Sequence, residues 1–123
     1  MPPLPSHNVF GGPLRPCSAK PMTGFFRNAC CDTCADDTGC HTVCVEVTQE
    51  FLDYSHIIGN DLTTPRPEHG FPGLKPGDRW CVCAARWLEC LEGGVSSPIV
   101  LEATHVRTLG IVPLKVLLKH ATA

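Results

Sequence analysis

Alternation is the clearest pattern in this chain. Over His41-Thr-Val-Cys-Val-Glu-Val47, Val43, Val45 and Val47 fall on one side, with Thr42, Cys44 and Glu46 on the other. That period of two predicts a half-buried strand. Thr48 reads as an N-cap, and Phe51, Leu52, Tyr54, Ser55 and Ile58 then recur at helical spacing up to Gly59-Asn60, predicting a helix over about 49–58. Asp78 suits the N-cap of a second helix reaching Gly93-Gly94. On it Trp80, Cys83, Ala84, Trp87, Leu88, Cys90 and Leu91 share a face, opposite Arg79, Arg86 and Glu89. Pro98 to Thr104 reads as a buried strand. Pro113 opens a short last helix with Leu114, Leu117 and Leu118 turned inward.

Two stretches carry no period. Residues 1–24 hold six of the twelve prolines and three of the eleven glycines, which predicts an extended arm that belongs to or flanks a single domain over 25–123. Residues 59–77 hold four prolines and four glycines, a long loop of the kind that is functional or disordered in small domains. The order of elements predicts an α+β fold: one small domain with a short β-sheet packed by about three helices and a long Pro/Gly-rich loop.

Composition narrows the partners. A chain of 123 residues has the size of one domain with an ordinary core. Ten Lys+Arg against twelve Asp+Glu give a net charge of -2, and like charges form no run. Nucleic acid and anionic membrane are therefore not expected partners, which leaves a small molecule or a protein. No apolar stretch has the length of a bilayer span, and Met1-Pro-Pro-Leu-Pro-Ser-His has neither the cationic nor the apolar region of a signal peptide. The expected location is the cytoplasm. An odd number of cysteines, nine, in such a chain favours free thiols or a metal site over a full set of bridges.

The segments Gly59-Asn-Asp-Leu-Thr-Thr-Pro65, Phe71-Pro-Gly-Leu-Lys-Pro-Gly-Asp-Arg-Trp-Cys81, Glu102-Ala-Thr-His105, Pro21-Met-Thr-Gly24 and His41-Thr-Val-Cys44 carry a resemblance. Together they resemble a bacterial family catalogued as domain of unknown function 2237, over roughly residues 8–121. The resemblance implies a shared fold and names no reaction. It also implies that Cys17, Cys30, Cys31, Cys44, Cys81 and Cys83 stand where the family has cysteine, whereas Cys34, Cys40 and Cys90 are additions of this chain.

Three chemistries compete for the thiols. Cys81, three residues after the Asp78 cap, would lie in the first turn of the second helix, where unpaired amides favour a thiolate. On that helix Cys81 and Cys83 diverge by about 200° and do not bridge to each other, whereas on a strand they would share a face as a redox pair. This makes the junction of the 59–77 loop with the Asp78 helix the favoured site. Cys81, His105 and Asp61 are its candidate catalytic groups, and Asn60, Thr63, Thr64, Arg66 and Arg79 its ligand contacts. The first alternative is a structural zinc module using Cys30, Cys31, Cys34, Cys40 and Cys44. Only five residues separate Cys34 from Cys40, against the 15–20 or so between the pairs of a zinc ribbon, so no cofactor is predicted. The second alternative is a redox module with a reversible disulfide.

Overall fold

The computed structural model describes residues 6–122. Strands β1 (His41–Glu46) and β2 (Arg79–Cys83) form a two-stranded antiparallel sheet. Helix α1 (Gln49–Ile57) follows β1, helix α2 (Ala84–Glu92) follows β2 directly, and the short α3 (Leu114–Leu118) closes the chain. The protein is a small single α+β domain with three α-helices among the described residues, the fold class its periodicities predicted.

Helix α1 starts where its cap was read, with the Thr48 hydroxyl accepting from the Phe51 amide at 3.1 Å. Phe51, Leu52 and Ser55 are buried beneath it. The predicted helix from Asp78, by contrast, is two elements. Trp80, Cys81 and Val82 pair with Val45, Cys44 and Val43, and the helix begins only at Ala84. Sheet pairing there satisfies backbone groups that a helix would also satisfy, and it buries both faces of a β-preferring triplet, so tertiary context overrides the local period. Asp78 caps a turn instead: its carboxylate accepts from the Lys75 amide at 2.9 Å. Beyond the strand the helical period holds, with Ala84, Trp87 and Cys90 buried.

Strand β1 is buried on both faces rather than one, from Thr42 through Val45. Val43, Val45 and Val47 enter the main core with Phe51, Leu52, Trp87 and Ile99. The Thr42 hydroxyl pairs with that of Thr108 at 2.7 Å, and Cys44 is covered by the N-terminal segment. Residues 98–104 run along the free edge of β1 but form a single antiparallel bridge, Val45 to Ile99, before a 3-10 turn over Leu101–Ala103. The Thr104 hydroxyl donates to the Val100 carbonyl at 2.9 Å, a local bond that closes the turn where a strand was expected. In α3 only Leu117 is buried; Leu114 is partly covered and Leu118 is half exposed.

The described part of residues 1–24 lies on the domain. Val9 is buried and its amide donates to the Thr104 carbonyl, and the Arg15 amide donates to that of Glu102. The 59–77 loop is ordered by its own bonds. Arg66 bridges Phe71, the Leu74 amide reaches the Leu62 carbonyl, and Phe71 and Leu74 plug the core. Gly73, at φ +82°, passes so close to the Thr63 carbonyl that a Cβ would collide with it.

Candidate functional site

The arrangement of the thiols follows from strand register. Cys44 and Cys81 are cross-strand partners, and both point their amides away from each other: Cys81 donates to the Thr23 hydroxyl at 2.8 Å and Cys44 to that of Thr104 at 3.2 Å. Outward amides mark a non-hydrogen-bonded pair, the narrow kind in which facing Cα atoms are about 4.5 Å apart. Two cysteines therefore stand side by side on one sheet face.

The segment leading into β1 folds over that face and bridges both. Cys17 is joined to Cys44 and Cys31 to Cys81, across 27 and 50 residues. A tight set of backbone bonds shapes this cover: Cys17 and Ser18 donate to the Ala29 carbonyl, and Ala29 donates to that of Thr23. Gly24, at φ +102°, has no room for a Cβ against the Cys30 carbonyl. Arg27, Ala29 and Cys40 also take left-handed backbone, at φ 54°, 72° and 52°, a conformation that costs a non-glycine residue about 1–2 kcal/mol. Such strain gathers where a site must be held against local preference.

A cleft of about 400 Å³ runs along the outer edge of β2. Gly24, Phe25 and Arg27 of the covering segment line it together with His69 of the long loop, Trp80 and Cys81 of β2, and His41 of β1. Smaller recesses extend it beneath the long loop, one lined by Asp61, Leu62 and Arg66, the other by Asn60, Leu62 and Cys83. Among the described residues no other strand pairs with β2, and Trp80 and Cys81, from opposite faces of the strand, both line the cleft. The Arg27 guanidinium stacks over Trp80, 5.1 Å from the ring centroid.

His41 is set by a buried carboxylate. Asp37 Oδ1 lies 2.6 Å from His41 Nδ1, and its Oδ2 accepts from the His41 amide at 3.0 Å and the Thr33 hydroxyl at 2.9 Å. The Asp37 side chain is fully buried, while the His41 ring is 44% exposed toward solvent. A bulge between His41 and Val43 places His41 across from Cys83, where regular pairing would put Thr42. The small recess beside the cleft thus brings together a bridged cysteine, a free thiol and an imidazole oriented through its other nitrogen.

The residues expected from sequence divide sharply. Cys81 lines the cleft beside loop residues, but it stands in a strand rather than a first helical turn, is 2% exposed, and is bridged. Cys81 and Cys83 are not bridged to each other; the reason is Cys31, and their shared strand face replaces the 200° separation of a helix. Asn60, Asp61 and Arg66 line the smaller recesses beside the cleft rather than the cleft itself. Asp61 anchors a turn with Thr63 and Thr64: the Thr64 hydroxyl and the Thr63 amide hold its carboxyl well below the usual carboxylate range, which makes it a weak base. Arg79 instead faces Glu46 across the strands at 3.7 Å. His105 is 2% exposed and its Nδ1 accepts from the Arg107 amide, capping a 3-10 turn.

The zinc cluster read from spacing is not assembled. Cys31 and Cys44 are taken into different bridges, and Cys30, Cys34 and Cys40 carry free thiols. Among the described residues the group at metal-binding separation is Cys17, Cys31 and Cys81, whose sulfurs all lie within 4.8 Å of one another. These three could hold a metal ion. Burial raises the thiol pKa of Cys30, Cys40 and Cys90; Asp32 adds to it at Cys30 and Asp37 at Cys40. His41 and Asp37 were not singled out as a pair by sequence. Their i, i+4 spacing in a loop gave no period to follow, though His41 stood in one of the family-like segments.

A family model described as an uncharacterized protein conserved in bacteria, DUF2237, matches residues 7–121. The chain belongs to this family. All four bridged cysteines, and every residue that lines the cleft, lie inside the matched range. No curated protein matches the chain. No helix among the described residues is long and apolar enough to cross a membrane.

Proposed function

We propose that this DUF2237 domain is a thiol–disulfide exchange module in which the Cys31–Cys81 disulfide is the exchangeable bond and the cleft along β2 receives a dithiol partner. The observation that carries the reading is that Cys81 and His41 line the cleft and meet Cys83 around the small recess that adjoins it. It combines the redox alternative with the site first expected where the 59–77 loop meets the segment after Asp78.

An incoming thiolate attacks the Cys81 sulfur, a mixed disulfide forms, and Cys31 leaves as a thiolate that takes up a proton. The partner's second thiol then attacks the mixed disulfide, releasing oxidised partner and a Cys81 thiol. Two electrons and two protons pass from partner to domain. His41, steered by Asp37, accepts the attacking thiol's proton, the part that sequence gave to His105. Arg27 and Arg66 supply positive charge for an acidic partner, and Asn60 and the Asp61-Thr63-Thr64 turn shape the rim. In the cytoplasm, where we place the protein, such a bond cycles rather than persists.

Equilibration of the protein in dithiol/disulfide buffers of graded potential, followed by acid quenching, alkylation and peptide mapping, tests this. Cys31–Cys81 should open at a potential above about −300 mV, and before Cys17–Cys44. Both bonds closed at that potential, or Cys17–Cys44 opening first, would refute the reading.

A further inference from the structure

The four bridged cysteines form a second kind of site once their bonds open. Cys17, Cys31, Cys44 and Cys81 occupy one buried cluster with Ala103. Three of their sulfurs, those of Cys17, Cys31 and Cys81, lie within 4.8 Å of one another, and the fourth, that of Cys44, is bonded to Cys17 and stands outside that group. Four thiolates around zinc stand about 2.3 Å from the metal and so about 3.8 Å apart. Opening the bridges frees the four side chains to rotate, and Cys44 has to swing toward Cys31 and Cys81 to complete a tetrahedron of that size.

We propose that the fully reduced domain binds one zinc ion through Cys17, Cys31, Cys44 and Cys81, so that oxidation of the two pairs expels the metal. The inference rests on the exchange reading only in needing both disulfides to open while the chain stays folded.

Three features fit a metal. The ligands come from two facing strand positions and two points on the covering segment, so zinc would tie together the same parts that the bridges join. The thiols are buried, and four uncharged thiols packed together have few hydrogen-bond partners, whereas zinc binds them as thiolates. Arg27, which lines the same cleft as Cys81, offsets part of the negative charge of the tetrathiolate. Sequence spacing gives no sign of such a site, since the pairs are brought together by strand register.

The balance is explicit. Two disulfides take four electrons and four protons to give four thiols; with a phosphine as reductant, two phosphines become phosphine oxides and two waters supply oxygen and protons. Zinc then displaces up to four protons, a release that buffer exchange or calorimetry reads directly.

The test uses the full chain reduced anaerobically with a non-thiol phosphine and then titrated with zinc, or with cobalt as a coloured substitute. One metal per reduced chain and none per oxidised chain is expected, with the intense visible bands of tetrahedral thiolate-bound cobalt. Zinc should shield Cys17, Cys31, Cys44 and Cys81 from alkylation while Cys30 and Cys40 still label. The Cys44→Ala variant should lose more than about a hundredfold in zinc affinity; should it fail to fold, the cobalt spectrum and shielding map of the unaltered chain decide. Zinc lost on combined Cys30→Ala, Cys34→Ala and Cys40→Ala substitution, or reduced folded protein that binds none, overturns the site. Disulfides that open only on unfolding overturn it together with the exchange reading.

Discussion

Removing the Cys31–Cys81 bridge by Cys31→Ala with Cys81→Ala tests whether this cross-link constrains the unfolded chain as its span implies. The bridge closes a loop of 50 residues. The chain-entropy account gives such a loop about 4 kcal/mol at 25 °C, before any loss from the small cavity left by two sulfurs. Native stability for a domain of this size is roughly 6–18 kcal/mol, so the variant stays folded unless the native protein sits at the low end. With a melting entropy of about 2.1 cal/mol/K per residue, the midpoint should fall by about 15 °C. Urea unfolding of the oxidised protein and variant, monitored by the buried tryptophans Trp87 and Trp80, measures the difference from free energies extrapolated with each protein's own m-value. A loss below about 1 kcal/mol would refute the reasoning. It would mean either that the two sulfurs are not bonded in the native protein or that the unfolded chain is already held by other contacts.

Gly24→Ala should destabilise the fold by about 2 kcal/mol or more, since the new Cβ meets the Cys30 carbonyl backbone at a positive φ, and calorimetry measures it. His41→Ala should slow exchange at Cys31–Cys81 by about tenfold in stopped-flow traces while leaving its potential unchanged; an unaltered rate would remove the imidazole from the mechanism. In the oxidised protein Cys83 should alkylate while Cys81 does not, the reverse of what a first-turn thiol would do, and peptide mapping reads both. Stability should fall at both ends of the pH range. Asp61, with its pKa lowered in the fold, contributes stability above the usual carboxylate range that is lost as pH drops through it, so Asp61→Asn should flatten the acid limb of a denaturation profile. Cys30, Cys40 and Cys90, with pKa values raised above 9.0 by burial, contribute stability below that pH that disappears as it rises further.

The sequence by itself determined the elements whose cause is local. The Thr48 cap and the spacing of Phe51, Leu52 and Ser55 define α1, because a cap and a face are satisfied within one helix. The period of Ala84, Trp87 and Cys90 likewise marked α2, and the prolines and glycines of 59–77 marked a loop that supplies part of the cleft. Tertiary structure alone decided the segment Arg79–Cys83. Its residues fit a helical face and a strand equally, and pairing with Val43, Cys44 and Val45 settled which. The same pairing decided the thiols. Cys44 and Cys81 are neighbours because of strand register, and Cys17 and Cys31 reach them across 27 and 50 residues, separations at which spacing in the chain carries no information about distance. His41 and Asp37 became a pair through a bulge and a buried turn, neither of which leaves a period to read.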